Sequence, residues 1–252
     1  MPSSIYSRIQ GLGGIAVLLA SWQYASITKL VNPVLLPPPT TVAAVLWEIL
    51  SSGTALLPLA KTLALLAAGY AIACGLGIAF GIAMGRSRYA YGLLEPLVEL
   101  LRPIPKPALV PPLFLFLGIG VKTMIVIVAL TAFFPVLIST LQGVKGIDRT
   151  LIDTARTFHC STRRVLFQVV FPAALPMIVT GMRVSLGLAL ALTILAEMLA
   201  GESGVGYAIL DAQRSFRLPE MYAWIVLLAA IGVALNSVFE WAEERTLPWR
   251  GL

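Results

Sequence analysis

Of 252 residues, 58% are apolar and only 12% are charged, with a mean hydropathy of +0.90; that is about half the charge of a soluble domain and excludes an ordinary soluble fold. The two cysteines, Cys74 in an apolar run and Cys160 in a polar loop, exclude a disulfide-stapled scaffold. The formal charge of +6 is spread over loops between apolar runs rather than gathered in a stripe, so the expected partner is a lipid bilayer and not nucleic acid.

Arg8 precedes an apolar stretch that continues past Trp22 and Gln23 without a small-residue cleavage site, so an uncleaved first span is expected over residues 11–31. The proline cluster Pro37-Pro38-Pro39 then resists helix. Beyond it, Val42, Val45, Leu46 and Ile49 predict a short surface helix capped by Thr40 or Thr41. A second span is expected over 61–84. Its Gly69, Gly75, Gly77, Gly81 and Gly85 are small enough to let a neighbouring helix approach where lipid gives no hydrophobic drive.

Residues 92–120, GLLEPLVELLRPIPKPALVPPLFLFLGIG, are less regular. Glu95, Glu99, Arg102 and Lys106 stand at spacings that permit ion pairs along one helix face. Pro103, Pro105, Pro107, Pro111 and Pro112 then break the backbone. Two arrangements are open: a broken span lining a watery path, or an interfacial helix with a proline turn outside the bilayer.

A span is expected over 121–141, and the polar stretch 142–176 follows it. Asp148 suits the N-cap of a helix carrying Leu151, Ile152, Ala155 and Phe158, with Arg149, Asp153 and Arg156 turned outward. Ser161 suits the cap of a second helix with Val165, Leu166, Val169 and Val170 on its apolar side and Arg163, Arg164 and Gln168 on its wet side. Pro172 and Pro176 are expected to end it. The span over 178–199 holds Arg183 and Glu197, about 21 Å apart at ~1.5 Å per residue and so unable to pair. Arg183 is either a path residue or a snorkelling cation, and Glu197 suits helix packing. A glycine-containing loop with a short amphipathic helix over 207–216 leads to a span over 222–238 and a polar tail.

The layout is therefore an all-α polytopic membrane protein with about six spans: an N-terminal span and surface helix (1–60), a core (61–242) containing the loop 142–176, and a tail (243–252). Placing both termini in the cytoplasm puts Arg8, Arg86, Arg88, Lys145, Arg149, Arg156, Arg163, Arg164, Arg245 and Arg250 inside. Lys29, Lys61, Lys122, Arg214 and Arg217 then lie outside, which satisfies the positive-inside bias and makes the loop cytoplasmic.

That loop resembles the EAA loop of permease subunits of bacterial ABC importers, E-A-A-x3-G-x9-I-x-L-P. Asp153-Thr154-Ala155 stands at E-A-A, His159 at the glycine, and Val169-Val170-Phe171-Pro172 at the end. The segments LLPPP, RPIPKPALVPP, PAALPMIVTGMRVSLGLAL and SGVGYAILDAQ are similar to the nitrate, sulfonate and taurine branch of that family, and the similarity runs from about residue 10 to the C-terminus.

The resemblance implies a type I importer permease in the bacterial inner membrane that works as a homodimer. Two ATPase subunits would sit on its cytoplasmic side and a periplasmic or lipid-anchored solute-binding protein on the other. ATP and Mg would belong to the ATPase, and no cofactor to this chain. It makes Asp153, Thr154, Ala155, Arg156, Phe158, His159, Arg163 and Pro172 the ATPase-coupling set. Arg102, Pro105, Lys106 and Arg183, with Glu197 in support, are the candidate path for a small anion such as an alkanesulfonate, taurine or nitrate.

His159 departs from the family glycine. It is expected at a bend with positive φ, at a cost of ~1–2 kcal/mol for a residue with a Cβ. His159 beside Cys160 lacks further ligands at metal-site spacing, so no metal is expected. The chain has no G-x-x-x-x-G-K-[ST] phosphate loop and no nucleophile–base constellation, so it is not expected to be an enzyme. The competing class is a stand-alone carrier or channel for small anions.

Overall fold

The computed structural model describes residues 3–246, with side chains from residue 13 onward, and every regular element in it is a helix. α1 (Ser3–Ile27), α2 (Pro39–Ser51) and α3 (Leu56–Arg86) come first. α4 (Arg88–Leu101), a single tight turn (Lys106–Leu109) and α5 (Val110–Leu117) form a broken unit ahead of α6 (Val121–Lys145). α7 (Arg149–Thr157), α8 (Thr162–Val165) and a π turn (Leu166–Val170) lead into α9 (Phe171–Ala200). α10 (Val205–Arg214) and α11 (Leu218–Thr246) follow. Among the described residues, four helical runs are long and apolar enough to cross a membrane: Leu56–Arg86, Val121–Lys145, Thr162–Ala200 and Leu218–Thr246. The pair Arg88–Leu101 and Lys106–Leu117, bent by 91°, counts as a fifth if it is one span, and α1 is apolar over Gly13–Ile27, the part of it with described side chains.

α6 lies between α3 and α9, and small residues decide how close they come. Gly69, Ala73, Gly77, Gly81 and Gly85 recur every fourth residue on α3, opposite the similarly spaced Val128, Ala132, Val136, Thr140 and Val144 of α6. Such rows interlock as ridges into grooves. A Cβ on Gly81 would stand 2.6 Å from Thr140 Cβ, and one on Gly77 2.9 Å from Val136 Cγ1, so only glycine fits. On the other side, Gly143 meets Met177 and Gly181 meets Ser139 in the same way. Gly75 meets nothing within 4 Å and stands outside the seam.

α4 lies beside the Phe134–Lys145 half of α6, and α5 turns away to pack by Val110 against Met124 and Ile127. Lys145 Nζ sits 3.4 Å above the Tyr91 ring at one end, Lys106 Nζ 4.4 Å above the Phe134 ring, and Thr123 Oγ1 donates to Gly118 O at 2.5 Å at the other end. Phe134 lies near the middle of α6, about 20 Å from Val121 along the axis. The proline break thus lies beside the middle of α6 rather than beyond its end, the arrangement of a broken span or a re-entrant loop and not of a turn wholly outside the bilayer.

Several local expectations are corrected. The first span's helix stops at Ile27 rather than residue 31, and Lys29 turns the chain with φ 59°. No threonine side chain caps α2; Gln23 of α1 does, its Oε1 accepting Thr40 N–H at 3.3 Å and its Nε2 donating to Thr40 Oγ1 at 3.2 Å. Only Glu99 and Arg102 of the expected ionic row pair, at 3.2 Å. Pro172 and Pro176 do not end a helix. The π turn lets Phe171 N–H reach Leu166 O, a wider loop that tolerates the missing Pro172 donor, and the helix continues as α9. α11 continues past residue 238 to Thr246, so the expected tail begins as helix; residues 247–252 lie outside the described residues. α2 is fixed to the core, where Val42 and Ile49 join Ile194, Val205, Ile209, Trp224 and Leu227 in one apolar cluster.

Candidate functional site

The loop after α6 is built as a short, rigid hairpin. Asp148 accepts the Thr150 N–H at 2.9 Å and starts α7, and this backbone hydrogen bond holds its carboxyl below the usual carboxylate range. α7 ends in a Schellman arrangement. His159 takes φ 52° and donates to Arg156 O at 2.8 Å, and Cys160 N–H donates to Ala155 O at 3.1 Å. The left-handed residue expected at His159 is present. Ser161 then accepts from Arg164 N–H at 3.4 Å and turns the chain into α8.

Burial divides the hairpin into a root and a tip. Ala155, Val165 and Val170 are buried against Val144, Ala174 and Ile178, with Ile78 and Ile82 of α3 packed alongside. The hairpin is therefore anchored to the same ends of α3, α6 and α9 that form the bundle core. Asp153 and Arg156 pair at 3.4 Å in the open, and Thr154 and Arg163 are also exposed. Pro172 is half-buried at the foot of α9. Leu151, Phe158 and Phe167 are 52%, 77% and 67% exposed, an apolar set left uncovered by the described residues. Helical spacing alone assigns Leu151 and Phe158 to the buried stripe and passes over Phe167. The available signal for Phe167 is its phase, on the side opposite Val165 and Val169.

The candidate path residues fall in three separate places. Arg102, Pro105 and Lys106 lie at the mid-span break, where Lys106 Nζ contacts backbone oxygens of Leu101, Arg102 and Ile104. Arg183 reaches across to α11, pairing with Glu240 and lying 3.7 Å from Glu243 Oε2. Glu197, 2% exposed, is held by Thr62 Oγ1 at 2.8 and 3.0 Å and by Gly206 N–H at 2.9 Å. Sequence spacing points to neither partner, because Thr62 lies 135 residues away and Gly206 acts through a backbone N–H in the first turn of α10. Glu197 also borders a cavity of about 650 Å³ lined by Lys61, Gly120, Val121, Glu202 and Ser203. Among the described residues no group of three or more His, Cys, Asp or Glu is assembled for a metal.

Residues 75–247 match the family described as "Binding-protein-dependent transport system inner membrane component". A Bacillus subtilis (strain 168) permease protein named for aliphatic sulfonates transport, SsuC, is 34% identical over 97% of this chain and 89% of its own length. The taurine transport system permease protein TauC of Escherichia coli (strain K12) is 33% identical over 95% of this chain and 89% of its own. The nitrate import permease protein NrtB of Synechocystis sp. is 30% identical over 98% and 92%. Among solved structures, the MetNI methionine ABC transporter in an inward-facing form shares the fold, with a TM-score of 0.63 over 75% of this chain and 92% of that one at 19% identity.

Proposed function

Because the chain belongs to the family of inner membrane components of binding-protein-dependent transport systems, we propose that its loop 142–176 is the coupling element through which two ATPase subunits drive transport. Two copies of the chain form the path in a bacterial inner membrane, with both termini in the cytoplasm. A solute-binding protein delivers cargo on the other side. ATP and Mg act in the ATPase, and this chain is not itself an enzyme.

The observation that carries the reading is the hairpin's construction. Leu151, Phe158 and Phe167 are exposed apolar anchors, Asp153 and Arg156 form a charged rim, and the root is packed into α3, α6 and α9. Anchors spaced along short helices dock into grooves, and a buried root transmits their displacement. His159, by fixing the bend, sets the angle at which α7 and α8 meet the partner. Nucleotide shifts the equilibrium only through contacts that differ between the two transport states.

For cargo, the names of the relatives support a small anion such as an alkanesulfonate, taurine or nitrate. Arg102, Pro105 and Lys106 at the mid-span break are the path residues, while Arg183 and Glu197 hold helices together around it. The test is uptake of labelled taurine, methanesulfonate and nitrate by cells with and without the co-expressed ATPase and binding protein. Uptake that depends on the ATPase supports the importer; uptake driven by this chain alone makes it a carrier or channel.

A further inference from the structure

The turn between α4 and α5 carries prolines at 103, 105 and 107. Pro105 removes the N–H that would reach Leu101 O in a continuing helix, and Pro103 and Pro107 stop regular bonding on either side. Leu101 O keeps only a long Ile104 N–H at 3.4 Å, and at the 91° bend Ala108 N–H goes to Pro105 O at 3.0 Å instead of to Ile104 O. In water these oxygens would be solvated. At mid-span, an unpaired backbone group costs several kcal/mol and needs an internal partner.

Lys106 supplies that partner. Its ammonium has three hydrogens, and Nζ lies 2.9 Å from Leu101 O, 3.1 Å from Arg102 O and 2.9 Å from Ile104 O. The opposite side of the ammonium rests on the Phe134 ring at 4.4 Å. Among the described residues no carboxylate lies within ion-pair distance of it, and Glu99 pairs with Arg102. The positive charge also faces the carbonyl end of α4, where the helix dipole favours a cation.

We propose that Lys106 is a positioning residue: it stands in for the backbone donors that a continuing helix would bring to these three carbonyls, and it holds the break open. Cargo at the break meets the field of this charge but does not take its hydrogens, which are already committed. A ligand role would require a spare donor, and the geometry leaves none. The proposal rests on the transport reading only in placing the break beside a cargo path; the clasp itself is a matter of folding.

The test compares K106M with K106M/P103A/P105A/P107A, in which backbone donors are restored, in the full-length chain purified in detergent. The melting temperature of K106M is expected to fall by about 5 °C, the scale of one to two hydrogen bonds to a charged group in a chain of this size. The quadruple variant is expected to regain most of that loss. A K106M protein that melts like the parent, or a quadruple variant with no recovery, overturns the clasp. If K106M does not accumulate, recovered yield of the quadruple variant supports the clasp and continued absence overturns it.

A transport arm separates this result from the importer reading. In the assembled transporter, the quadruple variant regains stability but loses ATP-driven uptake of taurine, because its span is no longer broken. Undiminished uptake by that variant overturns the role of the break, whatever the melting data show. Failure of the parent to import any anion overturns the proposed cargo and leaves the melting comparison valid.

Discussion

Thr62 Oγ1 lies between both carboxylate oxygens of Glu197, at 2.8 and 3.0 Å, and accepts the Val205 N–H at 2.9 Å. One hydroxyl thus ties the start of α3 to the end of α9 and to the first turn of α10. Gly204, with φ 114°, brings its backbone against the same carboxylate, where any Cβ would clash. Thr62→Val removes the hydroxyl but keeps the volume and strands Val205 N–H and one carboxylate face. It is expected to cost about 1–3 kcal/mol in thermal or denaturant unfolding. Glu197→Ala should cost more than Glu197→Gln, because Gln retains an acceptor for Gly206 N–H.

The α3–α6 seam makes a second prediction. Gly81→Ala places a methyl 2.6 Å from Thr140 Cβ, so it is expected to destabilise by about 1–3 kcal/mol through overpacking. Thr140→Ala in the same chain should recover part of that loss. Gly75→Ala, with nothing within 4 Å, is the control and should be neutral or mildly stabilising in the same melting assay.

Arg183 provides a third. Its partners Glu240 and Glu243 lie on the continuation of α11, and the Arg183 side chain is 41% exposed. Solvent screening keeps the expected loss in Arg183→Gln to about 1 kcal/mol or less. The informative variant is Arg183→Glu, whose larger defect in melting temperature should be partly repaired by Glu240→Arg. Repair is expected for a clasp between α9 and α11, and no repair for a residue that meets cargo alone.

The sequence shows the spans, the hairpin and its bend for physical reasons: apolar runs of spanning length, the Asp148 and Ser161 caps, and the placement of His159 where α7 must reverse. What it leaves open depends on atoms distant in the chain. Gln23 capping α2 and α11 continuing to meet Arg183 follow from which helices become neighbours, while Lys106 turns to nearby carbonyls instead of to Glu99 because the proline break presents them. Spacing within one helix carries no information on these. The exposed set Leu151, Phe158 and Phe167 is similarly invisible, since periodicity reports apolar phase but not whether the chain itself supplies a cover.

His159 and Asp148 can be tested through the hairpin's own stability. His159→Gly removes the Cβ strain at φ 52° and is expected to stabilise the hairpin by up to about 1 kcal/mol, read by slowed amide exchange in α7, whereas His159→Val should accelerate it. Asp148 has its folded pKa depressed by the Thr150 N–H, so its contribution is present above the ordinary carboxylate pKa and fades as pH falls through the lower folded value. Exchange in α7 should therefore speed up at acid pH in the parent, after correction for intrinsic rates. Asp148→Asn should keep the cap and lose that pH dependence.

The account turns on which side of the membrane the hairpin faces and what grips it. The direct measurement is labelling of Phe158→Cys, in a C74A/C160A background, with a membrane-impermeant maleimide on sealed right-side-out vesicles carrying the assembled transporter. The account predicts no labelling until the membrane is opened, and then, with a maleimide that also carries an amine-reactive group, a cross-link from that cysteine to the ATPase subunit. Labelling from outside in sealed vesicles, or an opened assembly in which the cysteine labels freely and forms no cross-link to the ATPase, would contradict it.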